Sequence, residues 1–267
     1  MTLPSAAVTF LNFDGCYTYQ NKLRKLHHRW IDLTKLRETS LYCSDQAMSA
    51  ILEKLRPISH PGLTFLGSGN YHYAALALMS SIRHPFTLIL IDHHTDLNEG
   101  RLGSLLSCGS WVHQAIKRLA NLKKVIIIGP EPQSVLAVPP TNRRQVVVLP
   151  EEQLPDQKTL LALIPTSDVY ISIDKDVLNN SDAVTNWDQG KLKLGDLCQL
   201  LRMILADKTT DGLDICGEMP IRPHQHFNNQ IRNALAINES SNLQLANLYL
   251  NTEKSSHARR LPSTQNL

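Results

Sequence analysis

The sequence comprises 267 residues, of which 42% are hydrophobic, enough for a substantial buried core and too many for a disordered or fibrous protein. Its 27 basic and 24 acidic residues give a net charge of +3, which is too small to indicate nucleic acid or a membrane surface as the main partner. We therefore expect a small-molecule substrate or ligand, no nucleic-acid partner and no membrane partner.

The cysteines and the N-terminal segment bear on the cellular compartment. The five cysteines are scattered and lack the close pairing of a zinc ribbon or a thioredoxin-like site. The first residues carry no basic region of the kind that begins a signal peptide, and no apolar stretch approaches the roughly 20 residues of a membrane helix. These features favour a reducing, cytoplasmic location.

Short apolar, β-branched runs alternate along the chain with longer segments of helical periodicity. The predicted strands are 7–13, 62–66, 86–91, 123–129, 145–149, 168–173 and 211–216, and the predicted helices are 44–55, 72–82, 110–122, 194–205 and 228–237. Apolar strands separated by helices are typical of a parallel sheet covered on both faces. We predict a three-layer α/β/α sandwich with a mostly parallel sheet, formed by one domain over residues 1–250. The polar segment 251–267 is predicted to be a flexible tail.

The segment LILIDHHTDLN is the most informative part of the sequence. Asp92, His94 and Asp96 follow an apolar strand and, at a spacing of two, point to the same side of an extended chain. Two carboxylates and one imidazole suit a divalent ion such as Mn²⁺. A solvated turn is the alternative interpretation, because Asp and Asn often end strands.

Two further strands add polar side chains at the same edge of the predicted sheet. Asp174 and Asp176 stand where the run DVYISI ends, and His72 follows a glycine-bearing turn after another strand. Four carboxylates that meet without a cation would repel one another, and metal ions would relieve this repulsion. Individually, the aspartates are also typical of a turn, and the histidine of a helix cap or a core residue.

Three motifs, in this order between residues 62 and 220, resemble those of the arginase/agmatinase (ureohydrolase) superfamily. LGSGNYHYAAL is similar to the family's glycine-rich turn with its histidine ligand, IDHHTDLN to its Asp-x-His-x-Asp-x-Asn signature, and SIDKDVL to Ser-x-Asp-x-Asp. The resemblance implies an arginase-like fold with two Mn²⁺ per chain. One ion would be bound by His72, Asp92, Asp96 and Asp174, and the other by Asp92, His94, Asp174 and Asp176.

The same resemblance implies hydrolysis of a carbon–nitrogen bond in a small guanidino or amidino substrate. The nucleophile would be hydroxide, formed from water shared by the two ions. Asp96 would accept a hydrogen bond from it and help to move its proton to the leaving nitrogen. Glu218 resembles the carboxylate that pairs with the guanidinium, with Gly217 as an inserted residue. An ion pair of Glu218 with Arg222 is the alternative.

The remaining candidate residues lie where the chain departs from the family pattern or matches it weakly. Asn98 matches an asparagine that contacts the distal end of the substrate in arginases, or stabilises a turn. Trp111 stands near the position of the family's histidine proton shuttle and is expected to contact the substrate. His113 is either the replacement of that histidine or a residue on the exposed side of a helix. Trp187 and Asp188 are expected to line a distinct substrate pocket or to form an ordinary turn.

Two alternative functions remain open from the sequence. Single-zinc deacylases share the arginase fold, so deacetylase-like amide hydrolysis is one alternative, which fits less well because all six ligand positions are retained. A non-catalytic metal-binding protein of this fold is the other, motivated by the altered segments SCGSW and NWDQG. Members of the family often form trimers or hexamers, so a homo-oligomer is a further expectation, although no interface is indicated by the sequence.

Overall fold

The computed structural model describes residues 8–58, 60–99, 105–222, 224–225 and 228–260, and its centre is a parallel β-sheet. The strands are β1 (Val8–Asn12), β2 (His28–Asp32), β3 (Tyr42–Cys43), β4 (Gly62–Phe65), β5 (Phe86–Ile91), β6 (Leu106–Ser107), β7 (Leu122–Ile128), β8 (Val146–Leu149), β9 (Asp168–Asp174) and β10 (Thr209–Cys216). Eight strands form one sheet in the order β2-β1-β4-β10-β9-β5-β7-β8, with every neighbouring pair parallel. Strands β3 and β6 pair separately and antiparallel.

Helices cover both faces of the sheet. They are α1 (Asp45–Leu55), α2 (Ala74–Met79), α3 (Trp111–Arg118), α4 (Gln157–Leu163), α5 (Leu194–Asp207) and α6 (Asn229–Arg260). The buried side chains of α1, α2 and α3 belong to the hydrophobic core on one face, and those of α4 and α5, with part of α6, belong to the core on the other. This arrangement confirms the three-layer α/β/α sandwich.

The central strands are buried on both faces, as their near-continuous apolar sequences predicted. In β5, Leu88 and Leu90 contribute to the core under α1–α3, whereas Ile89 and Ile91 contribute to the core under α4–α6. Every residue of β5 is buried. A strand of this kind holds few ionisable side chains until it ends, which is why the carboxylates and imidazoles are found just beyond it.

Besides the two-residue strands β3 and β6, two elements were not predicted from the sequence. The first, β2, is an edge strand with the sequence HRWID, and three of its five residues are only partly buried, so it lacks a continuous apolar run. The second, α4, is a seven-residue helix in which Leu160 is the fully buried side chain, and so it has little periodicity to detect. The seven strands predicted from apolar runs are all present.

The C-terminal region differs from the prediction. Helix α6 extends to Arg260, so residues 251–260 are helical where the sequence predicted a tail without regular structure. Residues 261–267 lie outside the described part of the chain, and the assignment of residues 1–250 to one domain stays a prediction. None of the helices in the described residues combines the length and apolarity needed to span a bilayer.

Helix α1 offers a direct test of the core. Its N-terminus is capped by Ser44, which accepts a hydrogen bond from the Ala47 amide, and Leu55 is 8% exposed, whereas Leu52 is 38% exposed. We expect Leu55→Ala to lower the free energy of unfolding by about 2–4 kcal/mol, because it leaves a cavity under the sheet. Leu52→Ala, the matched control one turn away, is expected to cost about 1 kcal/mol or less. Urea denaturation of both variants measures the difference, and equal costs would contradict the assignment of this face to the core.

Candidate metal centre

The candidate metal centre lies at the carboxyl ends of four consecutive strands, β4, β10, β9 and β5. Asp174 is the last residue of β9, Asp92 directly follows β5, and His72 lies in the turn between β4 and α2. In open parallel sheets, ligands bind in the crevice outside these strand ends. The topology therefore brings together side chains that are up to about a hundred residues apart in the sequence.

The first group of donors surrounds one ring nitrogen of His72. Its Nδ1 lies 3.2 Å from Asp92 Oδ2, 3.2 Å from Asp96 Oδ2 and 3.6 Å from Asp174 Oδ2. All four side chains are buried. Three carboxylate oxygens thus lie within 3.6 Å of one imidazole nitrogen, with Asp92 and Asp96 in one candidate ligand group around His72 and Asp174 in an adjoining one.

The second group adjoins the first through Asp92. His94 Nδ1 lies 3.0 Å from Asp176 Oδ2 and 3.5 Å from Asp92 Oδ1. Asp92 therefore directs one oxygen to each group: Oδ2 towards His72 and Oδ1 towards His94. A carboxylate shared in this way is suited to bridging two cations.

The acidic side chains of this centre have strongly perturbed pKa values. Burial and the neighbouring charge of Asp92 raise the pKa of Asp96 to about 6. Burial, together with Asp174 and Asp92, raises the pKa of Asp176 well above its ordinary value. For His94 burial acts in the opposite direction, but hydrogen bonds to Asp176 and Asp92 outweigh it and raise the imidazole pKa to about 12. Without metal ions, Asp96, Asp176 and His94 retain protons, and these protons offset the carboxylate charge that divalent cations would neutralise.

Contacts behind His72 fix which ring nitrogen is free to bind a cation. His72 Nε2 lies 2.8 Å from Ser172 Oγ, and Ser172 donates its hydroxyl hydrogen to Asp214 Oδ1 at 2.7 Å. Because a serine hydroxyl has one hydrogen, its oxygen must accept from the Nε2–H of His72. The lone pair of the neutral imidazole is then on Nδ1, which faces the carboxylates.

His94 is oriented in a similar way at the cavity rim. Its Nε2 lies 3.2 Å from Asp188 Oδ1, while its Nδ1 faces Asp176 and Asp92. A proton on Nε2 is donated to Asp188, and the lone pair of the neutral imidazole is then again on Nδ1, where it can bind a metal ion. Both histidines therefore fit divalent cations, which accept imidazole and carboxylate ligands together.

The donors open into a cavity of about 440 Å³. All six predicted metal ligands line it, as do three of the predicted substrate residues, Asn98, Trp187 and Asp188. Trp187 donates from Nε1 to Asn70 Oδ1 at 3.1 Å, and its ring centroid lies 5.8 Å from that of His94. The segment NWDQG thus contributes Trp187 and Asp188 to the cavity wall, and their contact with a substrate stays a prediction.

The prediction that Trp111 contacts substrate is wrong, because its ring is fully buried behind Asp96. The indole Nε1–H donates to Asp96 Oδ2 at 2.6 Å. The amides of Val112 and His113, in the first turn of α3, lie 3.2 and 3.4 Å from the carbonyl oxygen of Asp96. Asp96 itself has a φ of 51°, a left-handed conformation that costs energy for a residue with a side chain. We infer that these donors hold the strained aspartate in place.

The structure also corrects the assignments of His113 and Glu218. His113 is 3% exposed on α3 and does not line the cavity, so a proton-shuttle role is not supported. Glu218 is 1% exposed; its carboxylate accepts hydrogen bonds from Lys175, Asn242 and Gln20 instead of facing the cavity. With its charge already paired to Lys175, it is not a free partner for a substrate cation.

Residues Gly217 and Cys216, at the end of β10, were not recognised as part of the centre from the sequence. Gly217 has a φ of +87°, and a Cβ at this position would lie 2.4 Å from Asp174 Oδ1. Only glycine therefore fits beside Asp174. Cys216 is fully buried, with Sγ 3.1 Å from Asp174 Oδ2. The alternation of DIC, which puts Asp214 and Cys216 on one face, was the available signal.

Comparison with known proteins identifies relatives over most of the chain. The sequence model of the arginase family matches residues 12–238. An uncharacterized protein of Thermotoga maritima is 34% identical over 211 residues, which cover 79% of this chain and 79% of that protein.

Solved structures extend the comparison to the fold. Proclavaminate amidino hydrolase from Streptomyces clavuligerus has a TM-score of 0.65 at 16% identity, covering 93% of this chain and 94% of its own. Formimidoylglutamase from Bacillus subtilis has a TM-score of 0.63 at 14% identity, covering 93% and 86%. Entamoeba histolytica arginase has a TM-score of 0.66 at 11% identity, covering 93% and 99%. At these identities the likeness concerns the fold.

The contact between Trp111 and Asp96 generates a test of the centre. Trp111→Phe removes the indole N–H and retains an aromatic ring, so we expect divalent-metal affinity to fall about 10- to 100-fold. Isothermal titration with Mn²⁺ measures the change. Trp30→Phe, on edge strand β2, is the matched control and should bind metal as the wild type does. Equal affinities in both variants would show that the hydrogen bond does not support metal binding.

Proposed function

Because the chain belongs to the arginase family, we propose that it is a hydrolase that cleaves a carbon–nitrogen bond in a small guanidino or amidino compound. Membership supports a hydrolase of the ureohydrolase kind, and members of this family normally bind a dinuclear metal centre. We assign this chain two divalent cations, with Mn²⁺ as the first candidate, because carboxylates outnumber imidazoles among the six donors.

The observation that carries the proposal is the position of Asp92 between the two donor groups. Its two oxygens face His72 on one side and His94 on the other, at 3.2 and 3.5 Å. Such sharing is what a pair of neighbouring ions requires, whereas a single-ion site needs no bridging carboxylate. This favours the dinuclear hydrolase over the deacetylase-like alternative.

The protein's own groups have defined roles in this proposal. When bound, the ions supply water activated for attack and neutralise the carboxylate charge. Asp96 holds its Oδ2 towards His72 and Trp111. We assign its Oδ1 to accept a hydrogen bond from the attacking water and to carry a proton towards the leaving nitrogen. Ser172 and Asp188 keep the two imidazoles in the orientation that presents Nδ1.

The charge of the cavity supports a cationic substrate. Apart from the six proposed ligands, the ionisable groups in the described lining are Tyr42, His93, Cys108, Glu131 and Asp188, with no lysine or arginine among them. A cleft that is lined by carboxylates and lacks lysine and arginine in its described lining attracts cations and disfavours anions. The guanidinium partner assigned from the sequence, Glu218, is paired internally, so the rim carboxylates are the remaining candidates.

The proposal is tested by metal analysis combined with an activity panel. We expect the protein to bind two Mn²⁺ per chain and to release urea or ammonia from guanidino, ureido or formimino amines, with a chelator abolishing turnover. Asp176→Asn should lose one ion and the activity, because it removes a donor facing His94. Asp196→Asn, which removes an exposed charge on α5, is the matched control.

The panel also separates the alternatives. One zinc per chain with release of acid from acetylated amines would replace the proposal by the deacetylase-like function. Metal binding without turnover on any compound would favour a non-catalytic metal-binding protein. Absence of bound metal after supplementation would contradict all three functions at once.

The rim carboxylate Glu131 gives a test of substrate charge. It lines the cavity and is exposed. We expect Glu131→Gln to raise KM for a cationic substrate roughly two- to fivefold with little change in kcat, since an exposed ion pair contributes up to about 1 kcal/mol. Steady-state kinetics at low and high salt provide the measurement, and the effect should shrink at high salt. Glu152→Gln, at an exposed position outside the lining, is the control. An unchanged KM would remove Glu131 from the substrate site.

A further inference from the structure

The candidate metal centre contains a sulfur atom as well as oxygen and nitrogen donors. Cys216 is the last residue of β10 and is paired in register with Asp174, the last residue of β9. One donor atom each from His72, Asp174 and Cys216 lie within 4.8 Å of one another, and all three residues are buried. The thiol therefore belongs to the group of donors around His72.

The orientation of Asp174 places Cys216 beside the proposed ion. Asp174 Oδ1 accepts a hydrogen bond from the Asp176 amide at 3.0 Å, whereas Oδ2 lies 3.6 Å from His72 Nδ1 and 3.1 Å from Cys216 Sγ. The sulfur of Cys216 thus contacts the same carboxylate oxygen that faces His72. Sulfur and oxygen ligands of one zinc ion lie roughly 3.1–3.6 Å apart for bond angles between 90° and 110°. The observed separation falls in this range.

Simple core packing explains this thiol less well than it explains the other cysteines. Cys16, Cys43, Cys108 and Cys198 belong to none of the three-donor clusters found in the described residues. Cys216 lies beside both the Asp174 carboxylate and the His72 imidazole, and a neutral thiol is only a weak donor to the carboxylate. A packing role would be met by any small apolar side chain, without placing a soft donor against Asp174 and His72.

We propose that Cys216 is a thiolate ligand of the ion bound by His72, Asp92, Asp96 and Asp174, and that it shifts this position from Mn²⁺ towards Zn²⁺, Fe²⁺ or Co²⁺. This inference rests on the proposed dinuclear centre. On binding, the S–H proton leaves to solvent and a sulfur–metal bond forms, with no change of oxidation state. Thiolate ligands select these softer ions over Mn²⁺.

Cobalt substitution of the full chain tests the proposal without relying on activity. Co²⁺-loaded wild-type protein should show the visible d–d bands of bound cobalt and a near-ultraviolet thiolate-to-cobalt charge-transfer band. Cys216→Ser should retain the d–d bands and lose the charge-transfer band. Its preference for Zn²⁺ over Mn²⁺, measured by competition, should fall by about tenfold or more.

Two controls keep the test decisive. Cys108→Ser removes the cysteine that lines the cavity and should retain the charge-transfer band. X-ray absorption of the zinc-loaded wild type should show a sulfur neighbour at about 2.3 Å, which requires no variant to fold. Bound metal with no sulfur neighbour, or a band lost only in Cys108→Ser, would overturn the assignment of Cys216 and leave the proposed function standing. No bound cobalt or zinc at all would overturn both.

Discussion

The structure depends on one electrostatic constraint: four carboxylates are buried together at the ends of central parallel strands. Such a group cannot remain fully ionised without compensation, because repulsion and desolvation both oppose it. In the metal-free chain the compensation comes from protons, as the raised pKa values of Asp96 and Asp176 indicate. Divalent cations would supply it without requiring protonation. The fold is therefore organised around positive charge, which in the metal-free chain comes from protons, including those that the raised pKa values of His72 and His94 retain.

A second layer of contacts determines how the donors are presented. Ser172 and Asp214 set the proton on His72, Trp111 fixes one oxygen of Asp96, and Asp188 orients His94. These partners lie on different elements: β9, β10, α3 and the loop after β9. Correct packing of helices against the sheet is therefore a condition for the site as well as for stability, because a shifted α3 would release Asp96 from its left-handed conformation.

The sequence predicted the proposed metal ligands well and the residues around them poorly, and the difference has a physical reason. Asp92, Asp174 and His72 follow apolar strands, and parallel strand ends must meet at one edge, so local pattern implies a tertiary contact. No local sequence pattern predicts which way the side chains of Trp111 and Glu218 point, because their orientation depends on how α3 and α6 pack against the sheet. Edge strand β2 and the short α4 were missed because neither has the apolar run or period that marks a buried element.

The side chains at the end of β10 limit which residues can recognise a cationic substrate in this chain. A side chain at Gly217 is excluded by the approach of Asp174, and the next carboxylate, Glu218, is turned away and paired with Lys175. A cation entering the cavity thus finds no fixed, buried carboxylate from this strand. What remains on the described lining is the exposed rim, with Glu131 and Asp188, and the latter also orients His94. If Asp188 recognises the substrate, substrate binding is coupled to the geometry of the metal centre, because Asp188 also orients His94, a proposed metal ligand.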